Sequence, residues 1–476
     1  MHQSLQPKKI LSTAFYISLL ILTLAFTSVY SLTFEYAQKL QYLLFPISFY
    51  AIIYFFSSYG KHRNIELYIL FANFLWVALM CWLHHSNYND IFSIHSESFW
   101  ALMWCIFFFA GVSLHRVSRK KAIDWLSVII CGYLFILSVL ALYGVFLGKL
   151  PIQSRFFSEF IYYTEESHNG LRHITFLGYH RNITTAWFFI GMCLMINQWF
   201  TCENRLWRIP IGIAGLFFFL IIGMQHSRSN YVATAVALAL LTLSLLMHHF
   251  SNFFYSGKYN IFLKLITFCT AALAAVFLFY SAVSQSSTII SKIAVNISAN
   301  QTEQIEISDG TSSGSDEASE IAVITDERSF LEDATSMTGR TTIWKAVIPA
   351  IKAKPSIAAI GYDDAIEFIN LFTGVKYHYA HMHNTFLQAL VYYGIPSMLL
   401  YIVFFTFLFV KMLKFYFSDK VKICDKIIVL PLSGLLLYGI IELLLSSVTR
   451  VSSVLFCFFA GVLISRYKEI FDSKKS

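Results

Sequence analysis

The chain has 476 residues, of which 57% are hydrophobic and 13% charged, with a net charge of +8. That apolar excess excludes ordinary soluble domains, and apolar runs of about 20 residues, long enough to cross a bilayer, recur along most of the chain. Lys and Arg collect in alternate loops, so membrane topology accounts for the positive balance and no nucleic-acid partner is needed.

In chain order the apolar runs lie near residues 10–30, 40–58, 66–83, 97–114, 123–147, 183–200, 209–225, 229–249, 260–283, 396–413, 427–446 and 451–466. They predict an all-α polytopic membrane protein with about 12 transmembrane helices. The first run follows only Lys8 and Lys9 and lacks a small-residue cleavage site, so it reads as a span and not as a cleavable signal. With the N-terminus inside, Lys61, Arg63, the cluster Arg116/Arg119/Lys120/Lys121, Arg205, Arg208, Lys411, Lys414, Lys426 and Arg466 are cytoplasmic. Acidic residues divide the other way, and both termini are expected inside. The eight cysteines fall in spans or inner loops without pairing or metal spacing, which predicts free thiols.

Three regions follow. Residues 1–283 hold spans 1–9, with a periplasmic loop at about 148–182. Residues 284–395 form a large, partly helical periplasmic loop between helices 9 and 10, flexible over 300–335. Residues 396–476 hold spans 10–12 and a cytoplasmic tail. In the first outer loop Arg155 is a candidate for substrate binding, as are His180 and Arg181 where the sixth span begins. Between the seventh and eighth spans, GMQHSRSNY leaves two or three residues for the turn, so Arg228 lies close to hydrocarbon. It is either a snorkelling arginine or an anion clamp, since a guanidinium matches phosphate oxygens with a planar fork.

The second outer loop contains SDGTSSGSDEASE (308–320), too polar to bury a core. Order is expected to return in TGRTTIWKAVIPAIKAKP, where Ile343, Trp344, Val347, Ile348 and Ile351 form one apolar helical face. Thr338 is the predicted cap, and Lys352, Lys354 and Pro355 mark the end. Arg340 sits in the first turn, where acids are usual but free N–H groups also bind anions. His383 is either a hydrogen-bonded structural group or a proton acceptor near neutral pH. His378, His381 and His383 could share a metal, and Asp363 with Asp364 a divalent cation. The histidine spacing fits no regular face and adjacent acids are ordinarily solvated, so no metal site is expected. Asn384 caps a short helix over 385–393 that Gly394 ends, and Pro396 starts the next. Glu442, placed within the eleventh span, is either functional or a partner in an interhelical hydrogen bond.

Three segments together resemble the bacterial O-antigen ligase and polymerase superfamily: SRSN at the tight outer turn, TGRTTIWKAVIPAIKAKPSIAAIGY, and HNTFLQALVYYGIPS. They look like the family's outer arginine, its G-R-x-x-x-W helix with a following G-Y turn, and its H-N-x9-G-x-x-G element, with Ser397 in place of the second glycine. The resemblance implies a metal-independent, inverting membrane glycosyltransferase of the C-type class in the bacterial inner membrane, needing no cofactor. Its donor would be an undecaprenyl-diphosphate-linked glycan and its acceptor a lipid A-core sugar hydroxyl of lipopolysaccharide. His383, Arg228 and Arg340 would be catalytic. Arg181, His180, Arg155 and Asn384 would join Arg228 and Arg340 in binding substrate at a periplasmic site among membrane lipids. The alternatives are a Wzy-type polymerase, a protein O-oligosaccharyltransferase, or a lipid-glycan flippase or transporter.

Overall fold

A backbone in hydrocarbon must satisfy its own hydrogen bonds, so apolar runs of this length fold as helices. The computed structural model of the chain describes residues 64–84, 96–113, 116–147, 161–165, 172–176, 181–225, 227–249, 340–362, 382–445 and 449–472, together with isolated positions at 150, 152, 369 and between 266 and 281. Six helices occupy the first part: α1 (Ile65–His84), α2 (Glu97–Ser113), α3 (Arg116–Phe146), α4 (Arg181–Thr201), α5 (Arg205–Met224) and α6 (Arg228–His249). Two shorter helices follow, α7 (Arg340–Ala353) and α8 (Ser356–Ile360). Then come α9 (Thr385–Phe417), α10 (Ile423–Ile428), α11 (Leu430–Ile441) and α12 (Arg450–Phe471). Among the described residues, seven helical stretches are long and apolar enough to span a membrane. The predicted spans at 10–30 and 40–58 lie outside those residues, and 260–283 is described only at scattered helical positions.

Lipid is written into the side-chain pattern as well as the length. On α3, Leu126, Ile130, Leu134, Leu137 and Ala141 are buried, while Trp125, Val128, Ile136, Val139 and Tyr143 form an exposed stripe at helical spacing. In water each large apolar side chain left out forgoes roughly 1.5–3 kcal/mol. A bilayer removes that cost. On the inward side, Gly111 of α2 and Gly461 of α12 let the two backbones touch. A Cβ on Gly111 would stand 2.2 Å from the Phe458 carbonyl oxygen, and one on Gly461 2.1 Å from that of Phe108.

Two expectations change. The eleventh span, expected over 427–446, is interrupted at Val429 and leaves helical geometry at Glu442, whose φ of −125° and ψ of 175° are extended. Glu442 therefore lies at a helix end and not inside a span. The expected all-α fold also gains a hairpin between α3 and α4: β1 (Ile161–Glu165) and β2 (Arg172–Phe176) pair antiparallel, with Ile161 opposite Phe176 and Glu165 opposite Arg172. Ile161, Ile174 and Phe176 are buried, and Phe176 packs on Phe188 of α4 at 5.3 Å between ring centroids. Aromatic and β-branched residues flanking Asn169-Gly170 are the signal for such a hairpin.

Polar contacts sort the helix ends into two faces. On one, Glu66 at the start of α1 pairs with Lys411 of α9, Arg119 of α3 reaches Glu469 of α12 at 2.6 Å, and Arg466 Nε donates to Asp425 of α10 at 2.9 Å. These are ends that the charge pattern assigns to the cytoplasm. On the other face the start of α9, the end of α11 and the starts of α4 and α6 converge on one carboxylate.

Candidate functional site

The opening of α9 supplies the first fixed points. Asn384 Oδ1 accepts from the backbone N–H groups of Phe386 and Leu387 at 3.0 and 2.9 Å, the predicted cap. Its Nδ2 donates to the Ile440 carbonyl at 2.7 Å, tying the start of α9 to the end of α11. Thr385 Oγ1 tightens the same joint, donating to the Glu442 carbonyl at 3.1 Å and accepting from Leu444 N at 2.9 Å.

His383 is therefore held from its C-terminal side. From the other side, Met382 N donates to Gln388 Oε1 and the Met382 carbonyl accepts from Trp344 Nε1 of α7, each at 2.9 Å. Between these anchors His383 adopts a φ of 50°, in the left-handed region that a non-glycine residue occupies at a cost of roughly 1–3 kcal/mol. The hydrogen bonds of Met382, Asn384 and Thr385 on either side are enough to hold it there. The conformation aims Nδ1 at Glu442 Oε2, 3.5 Å away, with the imidazole 20% exposed and the Glu442 side chain 3% exposed.

Glu442 is the meeting point. Its Oε1 accepts from Asn182 Nδ2 at 2.9 Å and Ser229 Oγ at 2.5 Å. Asn182 and Ser229 belong to the first turns of α4 and α6, so the positive ends of two helices face a buried carboxylate, a favourable place for negative charge. The donors are themselves held. Ser227 Oγ donates to Asn182 Oδ1, and Asn230 Nδ2 donates to both the Asn182 carbonyl and Ser227 Oγ, all at 2.8 Å. Breaking a buried charge away from its partners costs on the order of 3–5 kcal/mol, so this joint is rigid by construction.

Three of the predicted arginines head helices tied to this joint. Arg181 and Arg228 head α4 and α6, each immediately before a residue that holds Glu442. Arg340 heads α7, one turn before the Trp344 that bonds Met382. The structure thus brings the backbone positions of Arg181, Arg228, His383 and Asn384 to one joint, while Arg340 heads the helix whose Trp344 is tied to Met382. Arg155, His180, Asp363, Asp364, His378, His381 and Thr338 lie outside the described residues.

The α7 face is corrected. Ala346, Val347 and Ala350 are buried with Trp344 and Ile351 beside them, whereas Ile348 is 64% exposed. The two alanines permit close approach and turn the helix away from Ile348. Ser397, standing where the resembled motif has glycine, is buried in α9 and donates to Asn73 Oδ1 at 2.7 Å, so the substitution leaves the helix intact. What the sequence reading missed is the partnership of Asn182, Ser229 and Glu442. Its signal is a polar residue directly after an arginine at the start of two apolar runs.

Residues 213–402 match the family model described as O-antigen ligase. Over that segment the chain is similar to the O-antigen ligase family. The matched segment contains Arg228, Arg340, His383 and Asn384 and stops short of Arg181, Asn182 and Glu442, which complete the joint from either side of it. A search of curated proteins gave no match.

Proposed function

We propose that the protein is a metal-independent, inverting glycosyltransferase of the inner membrane, an O-antigen ligase. It moves a glycan from undecaprenyl diphosphate to a lipid A-core hydroxyl at the periplasmic surface. The observation that supports this reading lies within the family-matched segment: a strained, anchored histidine shares Glu442 with the helix start that bears Arg228, and its neighbour Met382 is tied to the helix that Arg340 heads. A donor that is half lipid and half dianionic diphosphate calls for a cationic site at the membrane surface beside a proton acceptor.

In this mechanism His383 Nε2 takes the proton of the acceptor hydroxyl as its oxygen bonds to the anomeric carbon. The bond from that carbon to the diphosphate oxygen breaks, and the lipid diphosphate leaves with the electron pair. Arg228 and Arg340 bind the diphosphate and stabilise the growing charge, with Arg181, His180, Arg155 and Asn384 completing the substrate contacts. Preorganised donors of this kind are worth on the order of 10²–10³-fold each.

The test is an in-frame deletion examined on lipopolysaccharide gels. Loss of a ligase leaves complete core without polymer while lipid-linked polymer accumulates. Core bearing a single repeat would instead assign a polymerase.

A further inference from the structure

We infer that Glu442 is the positioning residue of the transfer reaction: it fixes the tautomer of His383 and at the same time locks the arginine-bearing helices α4 and α6 to it. The inference rests on the glycosyltransferase reading above and adds the group that makes His383 competent.

The two carboxylate oxygens divide the work. Oε1 holds Asn182 and Ser229, the residues that follow Arg181 and Arg228. Oε2 faces His383 Nδ1 at 3.5 Å. A carboxylate can only accept, so the neutral imidazole beside it carries its proton on Nδ1. That leaves the Nε2 lone pair, on the opposite edge of the ring, for the acceptor hydroxyl. When Nε2 takes the proton, the imidazolium forms next to a fixed negative charge that is buried and already desolvated. The distance is loose for a hydrogen bond, as such contacts often are before substrate binds.

A glutamine at 442 separates the two functions. Its carbonyl oxygen still accepts from Asn182 and Ser229, so the joint between α4, α6 and α11 survives. Its amide, however, presents N–H to His383 Nδ1. That stabilises the opposite tautomer, with the proton on Nε2, where no base remains. Glu442→Asp keeps the charge with a shorter reach.

The experiment is a kinetic cycle on purified full-length protein with lipid-linked glycan and lipid A-core, comparing wild type, Glu442→Gln, Glu442→Asp, His383→Ala and the double variant Glu442→Gln/His383→Ala. Glu442→Gln should lower kcat on the order of 10²–10⁴-fold, the worth of the base itself, with the KM for donor nearly unchanged. Glu442→Asp should recover part of that loss. The double variant should be no slower than His383→Ala alone, because each change disables the same proton transfer. Multiplying losses in the double variant, or a Glu442→Gln effect confined to KM, would overturn the positioning role while leaving the reaction intact. Full activity of His383→Ala would sink the underlying reading and this inference together. Should Glu442→Gln fail to accumulate in membranes, the kcat of Glu442→Asp decides: a value equal to wild type overturns the inference, and a reduced kcat at unchanged KM supports it.

Discussion

A guanidinium and an ammonium carry the same charge in different shapes, and the difference should tell at Arg228 and Arg340. Each heads a helix whose free N–H groups already favour an anion, so a lysine there would keep a favourable field. What lysine loses is the planar fork that grips two phosphate oxygens together. Arg228→Lys and Arg340→Lys are therefore each expected to lower transfer by about 10²-fold or more at matched membrane abundance, measured as polymer-bearing lipopolysaccharide. Near-normal transfer in both variants would return these arginines to a snorkelling or solvated role. Position 383 adds a constraint of a different kind. Its backbone sits at a φ of 50° although it is not glycine, and that strain is sustained by bonds from Met382, Asn384 and Thr385 to α7 and the end of α11.

At the scale of elements, the kink in α9 connects the arginine of α7 to the histidine before α9. Gly394 has a φ of 77° and Gly361, after α8, a φ of 73°. The two bends fit against each other: Tyr362 N donates to the Val391 carbonyl at 2.9 Å, and a Cβ on Gly394 would lie 2.5 Å from the Ala359 carbonyl oxygen. Gly394→Ala adds strain of roughly 1–3 kcal/mol and pushes α8 off the kink. The expected result is a lower Tm in detergent and reduced transfer; an unchanged Tm would mean this docking contributes nothing. The opposite face is held differently. Burial alone would raise the Glu469 carboxyl, but hydrogen bonds and charge from Arg119 and Arg466 outweigh it and hold it below the usual carboxylate range. A lowered value means the pairing stabilises the fold above the ordinary carboxylate range and is lost as pH falls through the depressed value. Acid should therefore lower Tm less steeply in Glu469→Gln than in the wild type, while at neutral pH the variant, leaving Arg119 buried beside a neutral amide, melts earlier. Parallel Tm-versus-pH curves would remove Glu469 from the acid response.

For the whole molecule, the sequence made legible what lipid dictates. The apolar runs of α1 to α6 were readable because hydrocarbon demands length and composition together, and the Asn384 cap and Gly394 break because cap and turn chemistry is local. The placing of Ile348 is not legible, because large apolar residues dominate the helical pattern while the small Ala346 and Ala350 that permit close packing carry little signal. The carboxylate joint was illegible for another reason: Glu442 stands 260 positions from Asn182 and 213 from Ser229, and no local pattern pairs residues at that range. Orientation is the property on which all the chemistry depends. Contacts place Arg119 and Arg466 on one face and His383 with Glu442 on the opposite one, whatever the direction of insertion. The positive-inside pattern of the basic residues predicts the direction, with the Arg119 face inside. Reporter fusions at residues 120 and 420 should accordingly agree with each other and read cytoplasmic, and a fusion at 310 should read periplasmic. Disagreement between 120 and 420 would contradict the grouping of helix ends. A cytoplasmic signal at 310 with both others periplasmic would keep the fold and end the proposed reaction, because His383 would then face the leaflet opposite to its lipid-linked donor.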